Sequence, residues 1–153
     1  MIALGCDHGG YELKQEIIKY LEEHNLEYTD FGCDSLESTD YPIYAKRVAI
    51  AVQSGDCDKG ILICGTGIGI SITANKFKGI CAALCSDCFS AEATRLHNNA
   101  NILAMGGRVV GPGLAVKIVD TFLNTPFSEE ERHIRRIKQM EEDTDIVDVN
   151  PEV

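Results

Sequence analysis

The residue types best suited to chemistry occur in one short segment, Cys64-Gly65-Thr66-Gly67-Ile68-Gly69. Three glycines at alternate positions let the backbone turn tightly and point several N–H groups at one spot. If a helix begins there, its N-terminus strengthens this cradle, so the segment predicts a binding place for a negatively charged group. A dinucleotide-binding turn is the competing interpretation, with Asp87 as its ribose-binding acid, but the last spacing is too short for G-x-G-x-x-G.

Cys64 directly precedes the glycines, so its sulfur can face a ligand held by them. Helix N-termini and nearby cationic groups favour the thiolate form of cysteine, which can act as a base. The alternative is a packing role, because free cysteine is among the most buried residue types. Cys85 and Cys88 form a C-x-x-C pair, but no second pair or spaced histidines would complete four zinc ligands. We therefore expect no metal and no cofactor.

Two further pairs of polar residues stand next to predicted turns. Asp7 and His8 follow the first strand, whereas His97 and Asn98 end the fourth helix and so belong to a different edge of the sheet. Histidine suits proton transfer near neutral pH, although a structural role is the commoner one for a single histidine. For Asp7, capping of the first helix is an equally good explanation.

Alternating strand and helix patterns must position these residues. Short apolar runs predict strands at Ile2–Cys6, Tyr28–Phe31, Gly60–Cys64, Ile80–Leu84 and Ile102–Met105. Helical spacing or an opening proline predicts helices at Tyr11–His24, Pro42–Ser54, Ile70–Lys76, Asp87–Asn98 and Pro112–Asn124. Five β-α repeats predict an α/β fold, a three-layer Rossmann-like sandwich with a five-stranded parallel sheet. Ligands of such sheets bind at the carboxyl ends of the strands.

A last helical pattern, Ser128–Met140, follows Pro126 and has no strand of its own. Its many charges of both signs are typical of a solvated helix. The other interpretation rests on Arg132 and Arg136, which are four residues apart and would present two guanidinium groups on one face to one anion.

Composition limits the partners of the chain. Its 153 residues match a single domain, 1–153, and 44% hydrophobic with 25% charged residues is a globular composition. The net charge of −10 argues against nucleic acid or an anionic membrane as a partner. Seven cysteines, an odd number and mostly within apolar runs, indicate free thiols in a reducing compartment. With no bilayer-spanning apolar run and no basic start, we expect a cytoplasmic protein.

Six motifs taken together resemble the type B ribose-5-phosphate isomerases, a family that also contains allose-6-phosphate and galactose-6-phosphate isomerases. They are Gly5-Cys6-Asp7-His8-Gly9-Gly10, Thr39-Asp40-Tyr41-Pro42, Ile63 to Gly69, Ala74-Asn75-Lys76, His97-Asn98 and Gly107-Arg108-Val109-Val110-Gly111. The match runs in order and nearly from end to end. It implies strand order 2-1-3-5-4, metal-free aldose–ketose isomerisation of a sugar phosphate, and a homodimer or tetramer with its active site between subunits.

The resemblance also implies a role for each matching residue. Cys64 is the base that moves a proton between C1 and C2 through a cis-enediolate, while Thr66 and the N–H groups of Gly65, Gly67, Ile68 and Gly69 hold the oxyanion. His97, from the partner subunit, opens the furanose ring. The remaining substrate contacts are Asp7 and Asn98 to hydroxyls and Tyr41 and Ser71 along the sugar. The phosphate is expected to contact His8, Arg132 and Arg136, with Arg108 reaching it across the dimer. Arg135 competes with Arg136 for the contact to the phosphate, and the segment 128–145 is expected to contact the partner.

Two alternatives remain open at this point. A six-carbon sugar phosphate, allose 6-phosphate or galactose 6-phosphate, would need only a longer pocket. A non-catalytic nucleotide-sensing module could use the same fold, because fold alone does not fix function.

Overall fold

The computed structural model describes residues 1–141, which form five strands and six helices. In chain order these are β1 (Ile2–Cys6), α1 (Tyr11–Glu23), β2 (Tyr28–Asp30), α2 (Tyr41–Gln53), β3 (Lys59–Cys64), α3 (Ile68–Ala74), β4 (Ala82–Leu84), α4 (Cys88–Asn98), β5 (Ile102–Gly106), α5 (Pro112–Asn124) and α6 (Glu131–Glu141). Both the predicted fold class and the β-α alternation are confirmed. No helix within these residues is long and apolar enough to cross a membrane.

The five strands form one parallel sheet in the order β2-β1-β3-β5-β4, the order that the resemblance implied. The three central strands are buried almost throughout, because helices cover both faces. On one face α1, α4 and α5 contribute side chains such as Ile17, Ala91 and Phe122 to the core. On the other face α2 and α3 contribute Val48 and Ile70. Because β1 and β3 are neighbouring parallel strands, the loops that follow them lie side by side.

Element boundaries differ from the sequence predictions where loops take over hydrogen bonds. Strand β4 begins at Ala82 rather than Ile80, because the Ile80 N–H closes a turn onto the Phe77 carbonyl. Helix α3 begins at Ile68, two residues early, since Gly67 already has the conformation that caps it. Helix α6 begins at Glu131 rather than at residue 128. Residues 142–145 of the predicted terminal segment lie outside the described part of the chain.

Candidate active site

Three loops, following β1, β3 and β5, touch through their backbones at the carboxyl edge of the sheet. A Cβ atom on Gly9 would lie 3.0 Å from the backbone nitrogen of Gly65, and one on Gly107 would collide with the carbonyl oxygen of Gly9. The Gly107 N–H donates to the carbonyl of Cys64 at 2.8 Å. Only residues without side chains permit this approach, so the glycines bring the three loops into one cluster.

The glycine loop after β3 depends on the left-handed conformation of Gly67. Its φ is 77°, a region that favours glycine, and a Cβ there would lie 2.5 Å from Leu84 Cδ1 and 2.7 Å from the backbone of Met105. This residue turns the chain from β3 into α3. The sequence pattern therefore predicted both the turn and the helix that follows it.

Cys64 lies at the end of β3 with only 4% of its surface exposed. Its Sγ accepts a hydrogen bond from the Gly67 N–H at 3.1 Å, and Thr66 Oγ1 accepts one from the Ile68 N–H at 3.2 Å. Two of the backbone groups expected to hold an oxyanion are thus occupied by the loop's own side chains. Ser71 is buried, and its hydroxyl donates to the Ile68 carbonyl inside α3.

Asp7 stands at the end of β1, beside the glycine loop, and is 6% exposed. Its Oδ1 accepts a hydrogen bond from the Gly9 N–H at 2.8 Å, and its own N–H donates to the Ile63 carbonyl at 3.1 Å. The residue that caps α1 is Gly10, which makes no side-chain cap. The alternative explanation of Asp7 as the helix cap is therefore wrong, and its carboxylate braces the β1 loop instead.

His8 and Tyr41 are linked to the same cluster by the loop before α2. The N–H of Thr39 donates to Nδ1 of His8 at 3.2 Å, which leaves Nε2 of that ring to carry the proton of the neutral form. The Thr39 hydroxyl also bonds to the Tyr44 hydroxyl at 2.9 Å. The ring of Tyr41 packs on Gly69, where a Cβ would lie 2.6 Å from Cζ.

Arg108 reaches the glycine loop of its own chain. Its N–H donates to the Gly65 carbonyl at 3.0 Å, and its Nη1 would be 3.6 Å from a Cβ on Gly65. A guanidinium group thus lies beside the loop that was predicted to bind an anion. This is a favourable position for a charge-assisted contact to a phosphate.

His97 and Asn98 do not join this cluster within one chain. They end α4, which begins just after the carboxyl end of β4 and returns toward the start of β5. Because a helix rises 1.5 Å per residue, its 11 residues separate the two ends by about 16 Å. As the sequence indicated, His97 lies at the edge of the sheet opposite Cys64.

Helix α6 packs near the end of α4 through His133, its one buried side chain among residues 131–141. The His133 ring lies against that of His97, with ring centroids 4.5 Å apart. Burial lowers the pKa of His133, and its neighbours His97 and Arg132 lower it further. Arg132 is exposed and paired with Glu130 at 2.8 Å. Arg136 is also exposed, and it makes no ion pair of this kind within residues 1–141.

The residues that suggested a nucleotide site or a zinc site have structural roles instead. Asp87 caps α4, where its carboxylate accepts bonds from the N–H and hydroxyl of Ser90 at 2.7 and 2.8 Å. Burial raises the pKa of Cys85 to about 11, which makes its thiol inert. Within residues 1–141 no group of three histidine, cysteine or acidic side chains is arranged to hold a metal ion. The seven cysteines are free thiols.

One buried charge was missed by the sequence analysis. Lys14 is fully buried in α1, and its Nζ donates to both carboxylate oxygens of Asp30 at 2.8 and 2.7 Å and to the carbonyl of Cys33 at 2.7 Å. This contact ties α1 to the loop that runs from β2 to Thr39, the residue whose N–H donates to His8. Its signal was present, since Lys14 interrupts the apolar face formed by Leu13 and Ile17.

The sheet order and the loop cluster define a doubly wound α/β protein whose ligand site lies at the carboxyl ends of its central strands. Residues 2–140 match the model of the ribose/galactose isomerase family, and the chain belongs to that family.

Relatives and solved structures agree with this assignment. The chain is 54% identical over 137 residues to ribose-5-phosphate isomerase B of Escherichia coli, an alignment covering 90% of this chain and 91% of the relative. It is 40% identical over 142 residues to the galactose-6-phosphate isomerase subunit LacB of Clostridium acetobutylicum, covering 93% and 82%. The structure of Clostridium thermocellum ribose-5-phosphate isomerase B matches with a TM-score of 0.90 at 52% identity, covering 92% of this chain and 95% of that one.

Proposed function

We propose that the protein interconverts D-ribose 5-phosphate and D-ribulose 5-phosphate through a cis-enediolate. The observation that carries this proposal is the position of Cys64, whose sulfur accepts the Gly67 N–H inside a glycine loop that touches the Asp7 loop. Identity of 54% to a ribose-5-phosphate isomerase B over most of both chains supports the choice of substrate.

In this mechanism the Cys64 thiolate removes the C2 proton of the open-chain aldose. The electron pair of that C–H bond forms the C1=C2 bond, and the negative charge moves to O1. The O2 hydroxyl proton then passes to O1, so that the negative charge moves to O2. The protonated Cys64 returns its proton to C1 while the C2–O2 carbonyl forms, which gives ribulose 5-phosphate. The Gly67 N–H supports the free thiolate, and the amides of Gly65 and Gly69, with the Thr66 hydroxyl, stabilise the oxyanion as it forms.

Binding of the phosphate is assigned to His8, Arg108, Arg132 and Arg136. Around α6, at 100° per residue, Arg135 lies about 160° from the buried His133, whereas Arg136 lies only about 60° from it. Arg135 lines a separate groove with Glu131, Ile134 and Lys138. The helix geometry therefore favours Arg136 over Arg135 as the partner of Arg132.

A second copy of the chain is proposed to complete each site, since His97 and Asn98 lie at the edge opposite Cys64. Exposed apolar side chains surround the glycine loop: Ile68 and Ile72 on α3, Leu84 at the end of β4, Phe89 on α4 and Val109 after β5. Apolar groups gathered around a site are typical of a subunit interface. A homodimer, or a tetramer of two dimers, with α6 at the contact, explains both features.

A cytoplasmic location and metal-independent turnover complete the proposal. Free thiols at all seven cysteines are suited to a reducing compartment. We expect activity to survive exhaustive treatment with a chelator and to need no nucleotide. Loss of activity on chelation, restored by a divalent ion, would contradict this.

The test of the function is a comparison of kcat/KM for ribose 5-phosphate, allose 6-phosphate and galactose 6-phosphate, with NAD and ATP binding measured in parallel. Ribose 5-phosphate should be the best substrate, and neither nucleotide should bind. Galactose 6-phosphate isomerisation is the second candidate, favoured by the 40% identity to LacB. A higher kcat/KM for the six-carbon sugars would replace the proposed substrate, and nucleotide binding without turnover would indicate a sensing module.

A further inference from the structure

Ser128 connects the end of α4 with the first turn of α6. Its backbone N–H donates to the Leu96 carbonyl at 3.2 Å, directly beside His97 in the chain. Its hydroxyl lies 2.6 Å from Nδ1 of His133 and also accepts the Glu130 N–H at 3.3 Å. One residue thus fixes a main-chain position next to His97 and the orientation of the His133 ring.

The His133 ring in turn limits where the His97 imidazole can lie. It is 3% exposed, and the two rings meet at an interplanar angle of 37°. His133 is the buried side chain of α6 among residues 131–141. The packing of its ring therefore also fixes the position of the helix that carries Arg132 and Arg136. Neither Ser128 nor His133 has a place in the mechanism above.

We propose that His133, held by Ser128, is a positioning residue that orients His97 for opening the furanose ring of the substrate. This inference rests on the proposed function. Ring opening breaks the C1–O4 bond while a proton is delivered to O4 and the anomeric hydroxyl loses one, so it needs an imidazole at a defined angle. The enediolate step at Cys64 needs no such contact.

The substrates separate the two steps. Ribose 5-phosphate is a furanose in solution and must be opened. Ribulose 5-phosphate is open-chain, because its C5 oxygen is esterified and cannot close a ring. Incorporation of solvent deuterium at C1 of ribulose 5-phosphate, followed by NMR, reports the proton transfer at Cys64 without ring opening. Turnover of ribose 5-phosphate by the unaltered protein reports the proposed function separately.

For His133→Ala we expect kcat for ribose 5-phosphate to fall about tenfold or more, a fraction of the effect of losing the acid itself, while deuterium incorporation is nearly unchanged. Ser128→Ala keeps the ring and removes its hydroxyl partner, so it should give the same selective pattern more weakly. Ile134→Ala, in the groove of α6 that Arg135 lines, is the matched control and should leave both rates unchanged.

An equal fall of both rates in His133→Ala would mean that the residue only maintains the fold or the assembly, and would overturn the proposal. So would unchanged turnover of ribose 5-phosphate in that variant. If His133→Ala does not fold, Ser128→Ala decides alone: selective loss of ribose 5-phosphate turnover supports the positioning role, and unchanged or equally reduced rates refute it.

Discussion

The Gly67 N–H donates to Cys64 Sγ across 3.1 Å, three residues along the same loop. A backbone donor aimed at sulfur stabilises a negative charge there without any cationic side chain. Because the loop is fixed by the left-handed conformation of Gly67, the donor is already in place before a ligand binds. The proposed role of Cys64 as the base, as opposed to a packing role, can be tested directly.

Replacing Cys64 by serine should lower kcat by about 10²-fold or more with little change in substrate affinity, because a hydroxyl of similar size is a far weaker acid and supplies no base. Steady-state kinetics with ribose 5-phosphate measure this. Cys57→Ala removes an equally buried thiol at the opposite end of β3 and should leave turnover unchanged. A Cys64→Ser enzyme with near-normal kcat would move attention to Asp7 as the base.

Gly67→Ala should abolish activity and destabilise the protein by several kcal/mol, since the new methyl would collide with Leu84 and the Met105 backbone. Gly55→Ala is its control. Gly55 also has a positive φ, 82°, but open space around its Cβ position, so only the backbone cost of about 1 kcal/mol is expected. Urea unfolding measures the stability of both variants. Equal losses of unfolding free energy would show that the cost comes from the positive φ and not from the collision of the new methyl group.

Arg136→Ala should raise KM for ribose 5-phosphate about tenfold or more through loss of a charge-assisted phosphate contact. Arg135→Ala, one residue away on the outer face of α6, should change KM little. The reverse ranking would assign the phosphate contact to Arg135 and contradict the helix-face argument.

Lys14→Met should cost about 2–4 kcal/mol of unfolding free energy, because it leaves the Asp30 carboxylate and the Cys33 carbonyl without their donor. Lys19→Met breaks an exposed pair with Glu16 and should cost under about 0.5 kcal/mol. Chemical denaturation of both variants provides the comparison. Similar losses of unfolding free energy in the two variants would mean that the buried Lys14 contact stabilises the fold no more than the exposed Lys19 pair.

Tyr20 links α1 to α5 by donating its hydroxyl proton to Asp120 at 2.6 Å. Burial and this acceptor raise the pKa of Tyr20 to about 12 from 10.0. The folded state therefore holds the proton more tightly, so the contribution is complete below pH 10 and is lost as the pH rises toward 12. Tyr20→Phe should show a smaller loss of stability over that interval. Parallel pH profiles of the two proteins would contradict this.

The fold was predictable because its signals are local and repeated. The apolar runs predicted the central strands to within one residue, and Pro112 correctly predicted the first residue of α5. The edge strand β4 is shorter than predicted, since the backbone N–H groups of Cys81 and Ala82 donate to the side-chain oxygens of Asn101 and Asn75 instead of to a neighbouring strand. Such side-chain contacts leave no periodic trace in a sequence.

The site was predictable in part. The glycine loop after β3 was predictable because its backbone geometry restricts residue type. Its position beside Cys64 also follows from the sequence, whereas the role of Cys64 as a base stays a prediction. The resemblance predicted that Ser71 contacts the substrate, but its hydroxyl donates a hydrogen bond to the Ile68 carbonyl within α3. Lys14 and His133 were missed because each depends on a distant partner, Asp30 or His97, and pairings of that kind are fixed only when the chain folds.

The contact of Gly9, Gly65 and Gly107 through main-chain atoms has an evolutionary consequence. Because these three loops meet through main-chain atoms, the distances among them depend little on which residues line the rim of the pocket. Substitutions at the rim can alter its length or polarity while the amide groups keep their positions. A lineage with this scaffold is free to drift from one sugar phosphate to another without rebuilding its proton-transfer machinery.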